Sequence, residues 1–440
     1  MSRFADFALR AYKKIMPDLV GYSKDKFWHD LGAGVTVGVV ALPLSLALAI
    51  ATGVPPIVGL YTAGVAGLLA ALFSGSAYSV SGPAAAMVPI LAAIIDKHGL
   101  TELPYLTLVA SLFLIFFAVI RIGRLIRKVP ESVVLGFTFG VAVVLFFGQL
   151  NSFLGLKGIT AHETFAGKVF DTITHLSTVS LSAVVVGLLT LLIIIFWHRL
   201  PGRTAKIPAT LIAITVATFL SVFLLPVPTL GSTYGQFAAG LPGFMINFAP
   251  SHLLHAELWF PAFEIAALIA VESLLCAVVA DKLTRTKHHS NTELLAQGAA
   301  NIGSALFGGM PATAVIARTG TNIKSGARTR LASLIHAVVV LIFIAALTPL
   351  VMHIPLAALS AVLIVTSYKI AEVKEIAHFV KNKSLRLSTV LTVTILLTIF
   401  SDLVVGVSVG LILHFVLEFH QKLRSSRDQD GPLSLSEEEA

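Results

Sequence analysis

Long apolar runs, separated by short polar or basic stretches, recur along the chain from about residue 31 to about residue 420. Most of these runs have the roughly 17–25 residues that an α-helix needs to cross the hydrocarbon core of a bilayer. The pattern predicts an all-α membrane protein with 14 transmembrane segments, of which the third and the tenth are too short to cross alone. The predicted helices begin near Leu31, Pro55, Gly82, Pro104, Val129, His175, Lys206, Leu258, Thr292, Val315, Arg330, Ile354, Ser384 and Ser401.

Two similar segments mark the starts of the two half-helices. They read Gly-Pro-Ala-Ala-Ala-Met-Val at 82–88 and Met-Pro-Ala-Thr-Ala-Val-Ile at 310–316, at matching places in two halves of seven helices each. Because seven is an odd number, the two halves are inverted repeats. A pair of Gly/Pro-interrupted apolar segments at matching positions points to a transporter binding site. The breaks at 74–81 and 307–310 are predicted to be short strands paired inside the protein, since irregular backbone at membrane depth must be covered.

Composition and charge support the membrane class. A mean hydropathy of +0.90, with 56% apolar and 12% charged residues, excludes an ordinary soluble domain. With the N-terminus inside, 27 Lys and Arg residues fall on the cytoplasmic side and 3 on the opposite side, as the positive-inside rule requires. The net charge of +8 therefore reflects topology, and nucleic acid is not an expected partner. We expect an integral membrane protein with both termini in the cytoplasm.

The candidate binding chemistry lies at the two half-helix starts. A helix start carries unsatisfied N–H groups and about half a positive charge, so two starts directed at one point would hold an anion. Small or apolar side chains at these starts favour binding by the backbone. The alternative is that the Gly-Pro and Met-Pro pairs only kink longer helices. The candidate substrate-binding positions are Ala84, Ala85, Ala86, Ala314, Val315, Ile316 and Ala317.

Three polar residues within apolar helices complete the candidate site. Arg318 follows the second half-helix start; a central Arg costs about 2.5–3.5 kcal/mol on insertion scales, so we expect it either to support the anion or to form a structural ion pair. Glu272, midway along the eighth helix, is the candidate for proton coupling, and the alternative is a permanent partner of Arg318 or of a helix terminus. Ser45 is a weaker candidate ligand, because serines in membrane helices often bond their own backbone.

Catalytic and metal-binding patterns are missing from the sequence. It contains neither a Gly-x-Ser-x-Gly nor a phosphate-loop pattern, and it has no spacing of His and acidic residues typical of a metal site. We therefore expect no enzyme activity, no cofactor and no metal.

Four segments of the chain resemble signatures of the sulfate permease (SulP) family of anion transporters: 43–61, 279–289, 301–311 and 318–329. The similarity runs from about residue 30 to about residue 420. The motifs in the second half most resemble bacterial members, including cyanobacterial bicarbonate transporters. The resemblance implies two intertwined seven-helix repeats in a bacterial inner (plasma) membrane. It also implies an elevator-type core domain that carries the anion, held between the third and tenth helices, past a gate domain.

The implied boundaries follow the repeats. They place a cytoplasmic segment at 1–30, the core domain at 31–125 and 258–351, the gate domain at 129–225 and 352–420, an outer loop at 226–257 and a disordered cytoplasmic tail at 421–440. Family members usually continue into a cytoplasmic STAS domain, and we expect none here, because the chain ends about twenty residues after the last predicted helix.

The resemblance also bears on the coupling ion. Sodium-coupled relatives carry Asp at the position of Glu272 and a hydroxyl residue at the positions of Cys276 and Ile316. A hard cation needs several oxygen ligands, so these differences favour protons over sodium. We expect a secondary active transporter of bicarbonate, sulfate or a small dicarboxylate, with the anion, protons and the lipid bilayer as partners and a homodimer left open. The alternatives are an uncoupled anion channel or exchanger, and a nucleobase–proton symporter of the same fold.

Overall fold

The computed structural model describes residues 21–123, 130–159, 164–199, 207–235, 240–244, 255–401 and 403–429. Predictions for residues 1–20, for parts of the outer loop and for the tail beyond residue 429 lie outside these ranges. The first half of the sequence forms α1 (Lys24–Ala51), α2 (Pro56–Phe73), β1 (Ser81–Gly82), α3 (Val88–His98), α4 (Leu103–Val119), α5 (Glu131–Leu154), α6 (Phe165–Thr174), α7 (Leu181–Phe196), α8 (Ala209–Phe223) and α9 (Leu230–Tyr234). The second half forms α10 (Trp259–Thr284), α11 (Ser290–Leu306), β2 (Thr313–Ala314), α12 (Ile316–Lys324), α13 (Leu331–Val351), α14 (Leu356–Ile370), α15 (Val373–Asn382), α16 (Leu385–Phe400) and α17 (Leu403–Gln429).

The helices confirm the all-α membrane class. Within the described ranges, 7 helical stretches are long and apolar enough to cross a bilayer, and 4 further apolar helices are shorter. The long stretches are Lys24–Ala51, Pro56–Phe73, Leu100–Val119, Glu131–Leu154, Ala256–Thr284, Leu331–Val351 and Leu356–Asn382. A helix lies near each predicted start, but the count of 14 crossings stays a prediction.

A short strand precedes each half-helix, as predicted. β1 pairs with β2 in antiparallel register, with Ser81 opposite Ala314 and Gly82 opposite Thr313. The second extended stretch lies later than the predicted break at 307–310. Just before β2, the side-chain amide of Asn301 donates to the carbonyl of Ala312 and accepts from its N–H. These two bonds satisfy the backbone of the residue that leads into the strand.

Close packing of α1 against α13 depends on two glycines four residues apart. A Cβ atom at Gly34 would lie 2.5 Å from the carbonyl oxygen of Ala332, and one at Gly38 would lie 2.8 Å from Cγ1 of Val339. Any larger side chain would therefore force the helices apart. Small residues spaced in this way let membrane helices approach closely where the hydrophobic effect gives no driving force between them.

A buried carboxylate joins the beginnings of the same two helices. Asp30 on α1 accepts from the backbone N–H groups of Arg328 and Thr329, at 2.6 and 3.0 Å, and from the Thr329 hydroxyl at 2.6 Å. The hydroxyl of Tyr22 donates to the same carboxylate at 3.0 Å. Burial, together with this carboxylate, raises the pKa of Tyr22 above its ordinary value. Asp30 thus caps the loop that leads into α13.

The chain forms two compact units. The larger unit comprises residues 1–128 and 144–369, and the smaller unit comprises residues 129–143 and 370–440. The larger unit contains β1, β2, α3 and α12, and so every candidate site residue. The smaller unit has its own apolar cluster, made by Leu135, Phe379 and Leu391 with Ile376, Leu387 and Ile395 packed against it. The predicted division into core and gate domains stays a prediction.

Candidate functional site

The two half-helix starts leave opposite ends of the β1–β2 pair. On one side, Ala84 is extended and a 3₁₀ turn at Ala85–Met87 leads into α3. On the other, Val315 is extended and α12 begins at Ile316. Neither start has a side-chain cap. The first N–H groups of both helices are therefore left for something other than a capping side chain.

The structure narrows the set of backbone donors. Ala314 lies in β2 and not at a helix start, and the N–H of Val315 already donates to the carbonyl of Val80 at 3.0 Å. The first bond within α12 runs from Thr319 to Val315 at 2.9 Å. Among the described residues, the first backbone N–H of α12 without a partner is therefore that of Ile316. From the sequence, the N–H of Val315 is also predicted to be a free donor. In this start Ile316 is half-buried and Ala317 is exposed, so a small solute can reach it.

The first turn of the other half-helix is more enclosed. Ala84, Ala85 and Ala86 are all buried. Met87 N–H donates to the carbonyl of Ala84 at 3.2 Å, so the amides of Ala85 and Ala86 precede the first bond of the turn. Their methyl groups leave room for close approach to the backbone. The α3 start therefore presents amides beside small side chains, whereas the α12 start begins with the larger Ile316, followed by Ala317.

Arg318 lies directly behind the strand pair. Its side chain is buried, and Nη2 donates to the hydroxyl of Ser45 on α1 at 3.1 Å. Nη1 lies so close to Gly82 that a Cβ atom at that position would collide with it. Nε and Nη1 have no hydrogen-bond partner within the described chain. A charged donor that is left without such a bond binds strongly to an acceptor that reaches it.

Ser45 forms a hydrogen bond with the guanidinium of Arg318. Its hydroxyl oxygen accepts from Arg318, which links α1 to α12 across 273 positions of sequence. This contact explains a buried serine in the middle of an apolar helix. Whether Ser45 also contacts the substrate, as the sequence suggested, stays a prediction.

Glu272 lies on α10, in the same region of the larger unit. Its residue as a whole is half-buried, while its Oε2 atom is buried and has no hydrogen-bond partner in the described ranges. Glu272 and Arg318 interact electrostatically, but they form no direct ion pair within the part of the chain that the structure describes. One turn along α10, the Cys276 thiol donates to Thr319 Oγ1 at 3.1 Å. The alternative of a permanent Arg318–Glu272 pair therefore has no support in the geometry.

Sequence reasoning missed a stripe of buried polar side chains on α11. Glu293, Gln297 and Asn301 are spaced four residues apart, which places them on one face of the helix. Glu293 accepts from the hydroxyl of Ser74 at 2.7 Å and from the N–H of Gly75 at 3.0 Å. Gln297 donates to Glu293 and to the hydroxyl of Ser81. The signal was in the sequence, since three polar residues at this spacing on an apolar helix must face the protein interior.

These bonds satisfy the non-helical backbone around the strand pair. Asn301 forms hydrogen bonds to both the N–H and the carbonyl of Ala312. The N–H of Met310 donates to the Thr62 hydroxyl at 2.8 Å, and the Ser304 hydroxyl donates to the carbonyl of Met310. Irregular backbone at membrane depth is stable only when protein or a wet cavity supplies such partners. The α11 stripe is therefore the support on which both half-helix starts are fixed.

Replacing Glu293 with leucine should destabilise the protein by about 3 kcal/mol or more, because each buried donor left without a partner costs about 1–3 kcal/mol. The N–H of Gly75 and one N–H of the Gln297 amide would lose their acceptor, and the Ser74 hydroxyl would keep only the carbonyl of Ser76. The measurement is the unfolding temperature in detergent, followed by tryptophan fluorescence. Glu293→Gln is the matched control, because its amide keeps one acceptor and the Gln297 amide can turn to meet the other end. A wild-type unfolding temperature for Glu293→Leu would show that the carboxylate does not support the break.

In the described part of the chain, no group of three or more His, Cys, Asp or Glu side chains is placed to hold a metal ion.

Comparison with known proteins gives consistent matches over most of the chain. Residues 27–394 match the model of the sulfate permease family. YvdB of Bacillus subtilis (strain 168), provisionally named a sulfate transporter, is 40% identical over 92% of this chain and 76% of its own length. The bicarbonate transporter BicA of Picosynechococcus sp. (strain ATCC 27264 / PCC 7002 / PR-6) is 31% identical over 92% of this chain and 74% of its own length.

Solved structures show the same fold. The transmembrane domain of a cyanobacterial bicarbonate transporter, BicA, matches with a TM-score of 0.74 and 31% identity, covering 88% of this chain and 98% of that domain. SLC26A9 matches with a TM-score of 0.83 over 96% of this chain and 70% of its own, at 18% identity, which is informative about the fold alone.

Proposed function

Because the chain belongs to the sulfate permease family, whose members are transporters and not enzymes, we propose that it is a proton-coupled transporter of a small anion. The substrate class is an inorganic oxyanion such as sulfate or bicarbonate, the anions for which the two relatives are named, or a small dicarboxylate. The anion is held between the first amides of α3 and α12. The core domain then carries it across the barrier in an elevator-type movement.

One observation carries this proposal. Two uncapped helix starts leave one strand pair, and the guanidinium of Arg318 lies behind the pair with Nε and Nη1 unpaired. Each helix start contributes about half a positive charge, and the arginine adds a full one. The low-dielectric surroundings strengthen these attractions well beyond their value in water. A region with this much positive potential, in which no acid among the described residues contacts the arginine, is suited to a negatively charged substrate.

For a monovalent anion such as bicarbonate, charge balance supports proton coupling. A bound monovalent anion, ionised Glu272 and Arg318 would together carry one net negative charge, whereas protonated Glu272 makes the loaded site neutral. Moving a net charge through the bilayer centre is costly. Protonation of Glu272 therefore lowers the barrier for the loaded transporter. Transport of the anion without the proton is correspondingly slow.

Sodium is a poorer candidate for the coupling ion. Sodium prefers several oxygen ligands, as hard cations do. Near Glu272, the position one turn along α10 is occupied by the thiol of Cys276, which bonds to Thr319, and position 316 is an isoleucine without an oxygen ligand in its side chain. Positions 276 and 316 therefore supply no side-chain oxygen to a sodium ion.

Uptake into proteoliposomes tests the function. Radiolabelled sulfate, bicarbonate and fumarate are each offered with and without an imposed pH gradient, inside alkaline. A gradient of 1 unit stores about 1.4 kcal/mol per proton, so a substrate carried with one proton should accumulate up to about tenfold. Empty liposomes and a sodium gradient at constant pH are the controls.

Each alternative makes a different prediction in the same experiment. A channel or uncoupled exchanger would equilibrate the label without responding to the pH gradient. A nucleobase symporter would accumulate labelled uracil and none of the three anions. Accumulation driven by sodium alone would overturn the assignment of the coupling ion and leave anion transport intact.

A further inference from the structure

A short amphipathic helix links two apolar helices of the chain. α14 ends at Ile370 and α16 begins at Leu385, and between them lies α15, Val373–Asn382. The backbone of Glu372 adopts a left-handed conformation with φ 44° and ψ 43°, which ends one helix and lets the next take a new direction. Because α15 carries Lys374, Glu375 and Lys381, it is too polar to continue a membrane crossing. It therefore belongs at the membrane surface, on the side that the positive-inside rule makes cytoplasmic.

The apolar side of α15 is wider than the protein surface it covers. Ile376 and Phe379 pack into the apolar cluster of the smaller unit. Val373, Ala377 and Val380 form a second stripe, spaced by four and three residues, beside the first. Val373 is 46% exposed and Val380 is 52% exposed. We call these three residues the outer stripe; nothing in the described part of the smaller unit covers it.

Two lysines border one edge of the outer stripe. Lys374 and Lys381 are seven residues apart, so they lie two turns apart on one face, directly next to the stripe. Both are exposed, and neither has an ion-pair partner in the described part of the chain. Glu375 lies on the far side of the helix, away from the stripe.

The neighbouring basic residues are already engaged. Lys383 lies 3.8 Å from the carboxylate of Glu131 and sits over the ring of Phe379. Arg386 donates to the carbonyl of Leu417 at 2.9 Å. Unlike Lys383 and Arg386, Lys374 and Lys381 are therefore available to bind a group outside the protein.

We propose that α15 is a docking surface for the phosphate headgroups of anionic phospholipids. The outer stripe enters the boundary between headgroups and acyl chains, as the apolar face of an interfacial helix does. Lys374 and Lys381 then bind lipid phosphates at the depth of the headgroups. Basic residues near an anionic membrane surface each contribute about fivefold to partitioning, so the two together contribute about thirtyfold. This proposal rests on the membrane location of α14 and α16 and is independent of which anion is transported.

A spin label on the outer stripe tests the proposal directly. Val380→Cys is labelled in the full chain, reconstituted into vesicles of phosphatidylcholine alone or with one quarter phosphatidylglycerol. The depth of the label is read from its relative accessibility to oxygen and to a water-soluble nickel chelate. Phosphatidylglycerol should shift the label toward the oxygen-rich acyl region. In Lys374→Gln/Lys381→Gln this lipid-dependent shift should be lost. Protein without the Val380→Cys substitution is treated with the same spin-label reagent, which controls for labelling of the buried Cys276.

A matched variant separates this site from general charge effects. Lys157→Gln/Lys168→Gln removes the same charge from the other side of the predicted topology and should keep the full shift. The proposal would be overturned if Lys374→Gln/Lys381→Gln showed the same shift in label depth as the protein with both lysines. It would also be overturned if phosphatidylglycerol did not change the depth of the label. If inorganic phosphate alone, added to phosphatidylcholine vesicles, produced the shift, the site would bind free phosphate and not lipid. A label shielded from both reagents would indicate that another protein surface covers the stripe, which also contradicts the proposal.

Discussion

Replacing Arg318 with alanine is expected to weaken anion binding by about 10- to 100-fold. A hydrogen bond to a charged group contributes about 1.5–3 kcal/mol, and about 1.4 kcal/mol corresponds to a factor of ten in affinity. Arg318 has two unpaired nitrogen atoms, Nε and Nη1, and its third, Nη2, is held by Ser45. The variant loses those donors together with the positive charge. The dissociation constant of the purified protein for sulfate or bicarbonate is the quantity to measure.

Two further variants make that measurement decisive. Arg328→Ala removes an exposed arginine ten positions along the chain and should leave the affinity unchanged. Arg318→Lys keeps the charge but loses the planar fork of donors, so it should recover only part of the affinity. If correctly folded Arg318→Ala bound the anion with wild-type affinity, Arg318 would have to be removed from the site.

Arg318 has a competing role as a distant counter-ion for Glu272, with which it interacts electrostatically. The two roles predict different outcomes for a double variant. If Arg318 only balanced Glu272, adding Glu272→Gln to Arg318→Ala would restore stability and affinity together. If Arg318 binds the anion, the double variant should regain stability and still bind weakly. A double-mutant cycle on both quantities measures the difference.

The half-helices and their strands could be predicted from the sequence because their signals are local. A Gly-Pro or Met-Pro pair inside an apolar run favours an interruption of the helix, since proline lacks an N–H and crowds the preceding turn. Proline alone is not sufficient, because Pro43 and Pro349 lie inside continuous helices. The repetition of that interruption in both halves identified the strand pair. The pairing of Ser81 with Ala314 confirms that a short strand precedes each half-helix, although the second strand lies at 313–314 and not in the predicted break at 307–310.

The exact boundaries depended on contacts between distant parts of the chain. Val315 was counted among the backbone donors, but its N–H is taken by Val80, more than two hundred residues earlier. Gly82 was taken as the start of the third helix and lies in β1, because Thr313 pairs with it. Neither partner can be read from the local sequence, so tertiary pairing decided both positions.

For the side chains of the site, too, local signals were visible in the sequence and long-range contacts were not. Arg318 and Glu272 stood out because a charged residue in an apolar helix is rare. The supporting residues on α11 were missed, although their four-residue spacing was visible, because Glu293, Gln297 and Asn301 lie in a helix that is only moderately apolar. The role of Ser45 as an acceptor for Arg318 depends on a contact between the first helix and the second half-helix, which local sequence does not reveal.

Replacing Glu272 with glutamine should abolish accumulation driven by a pH gradient while sparing exchange of internal for external anion. The glutamine has nearly the shape of the protonated acid, so the loaded site stays neutral and can move. It cannot release a proton, so a proton gradient no longer biases the direction of movement. Wild-type protein should accumulate a substrate carried with one proton up to about tenfold per pH unit, and Glu272→Gln should only equilibrate it.

Paired measurements separate loss of coupling from loss of function in this variant. Counterflow, in which unlabelled internal anion drives uptake of label, should continue in Glu272→Gln at a rate comparable to that of the wild type. Glu264→Gln changes a carboxylate eight positions earlier on α10 and should keep the full response to the pH gradient. Accumulation in Glu272→Gln equal to that of the wild type would assign the proton to another group. Loss of both accumulation and counterflow would mean that the carboxylate is needed for binding or movement and not specifically for coupling.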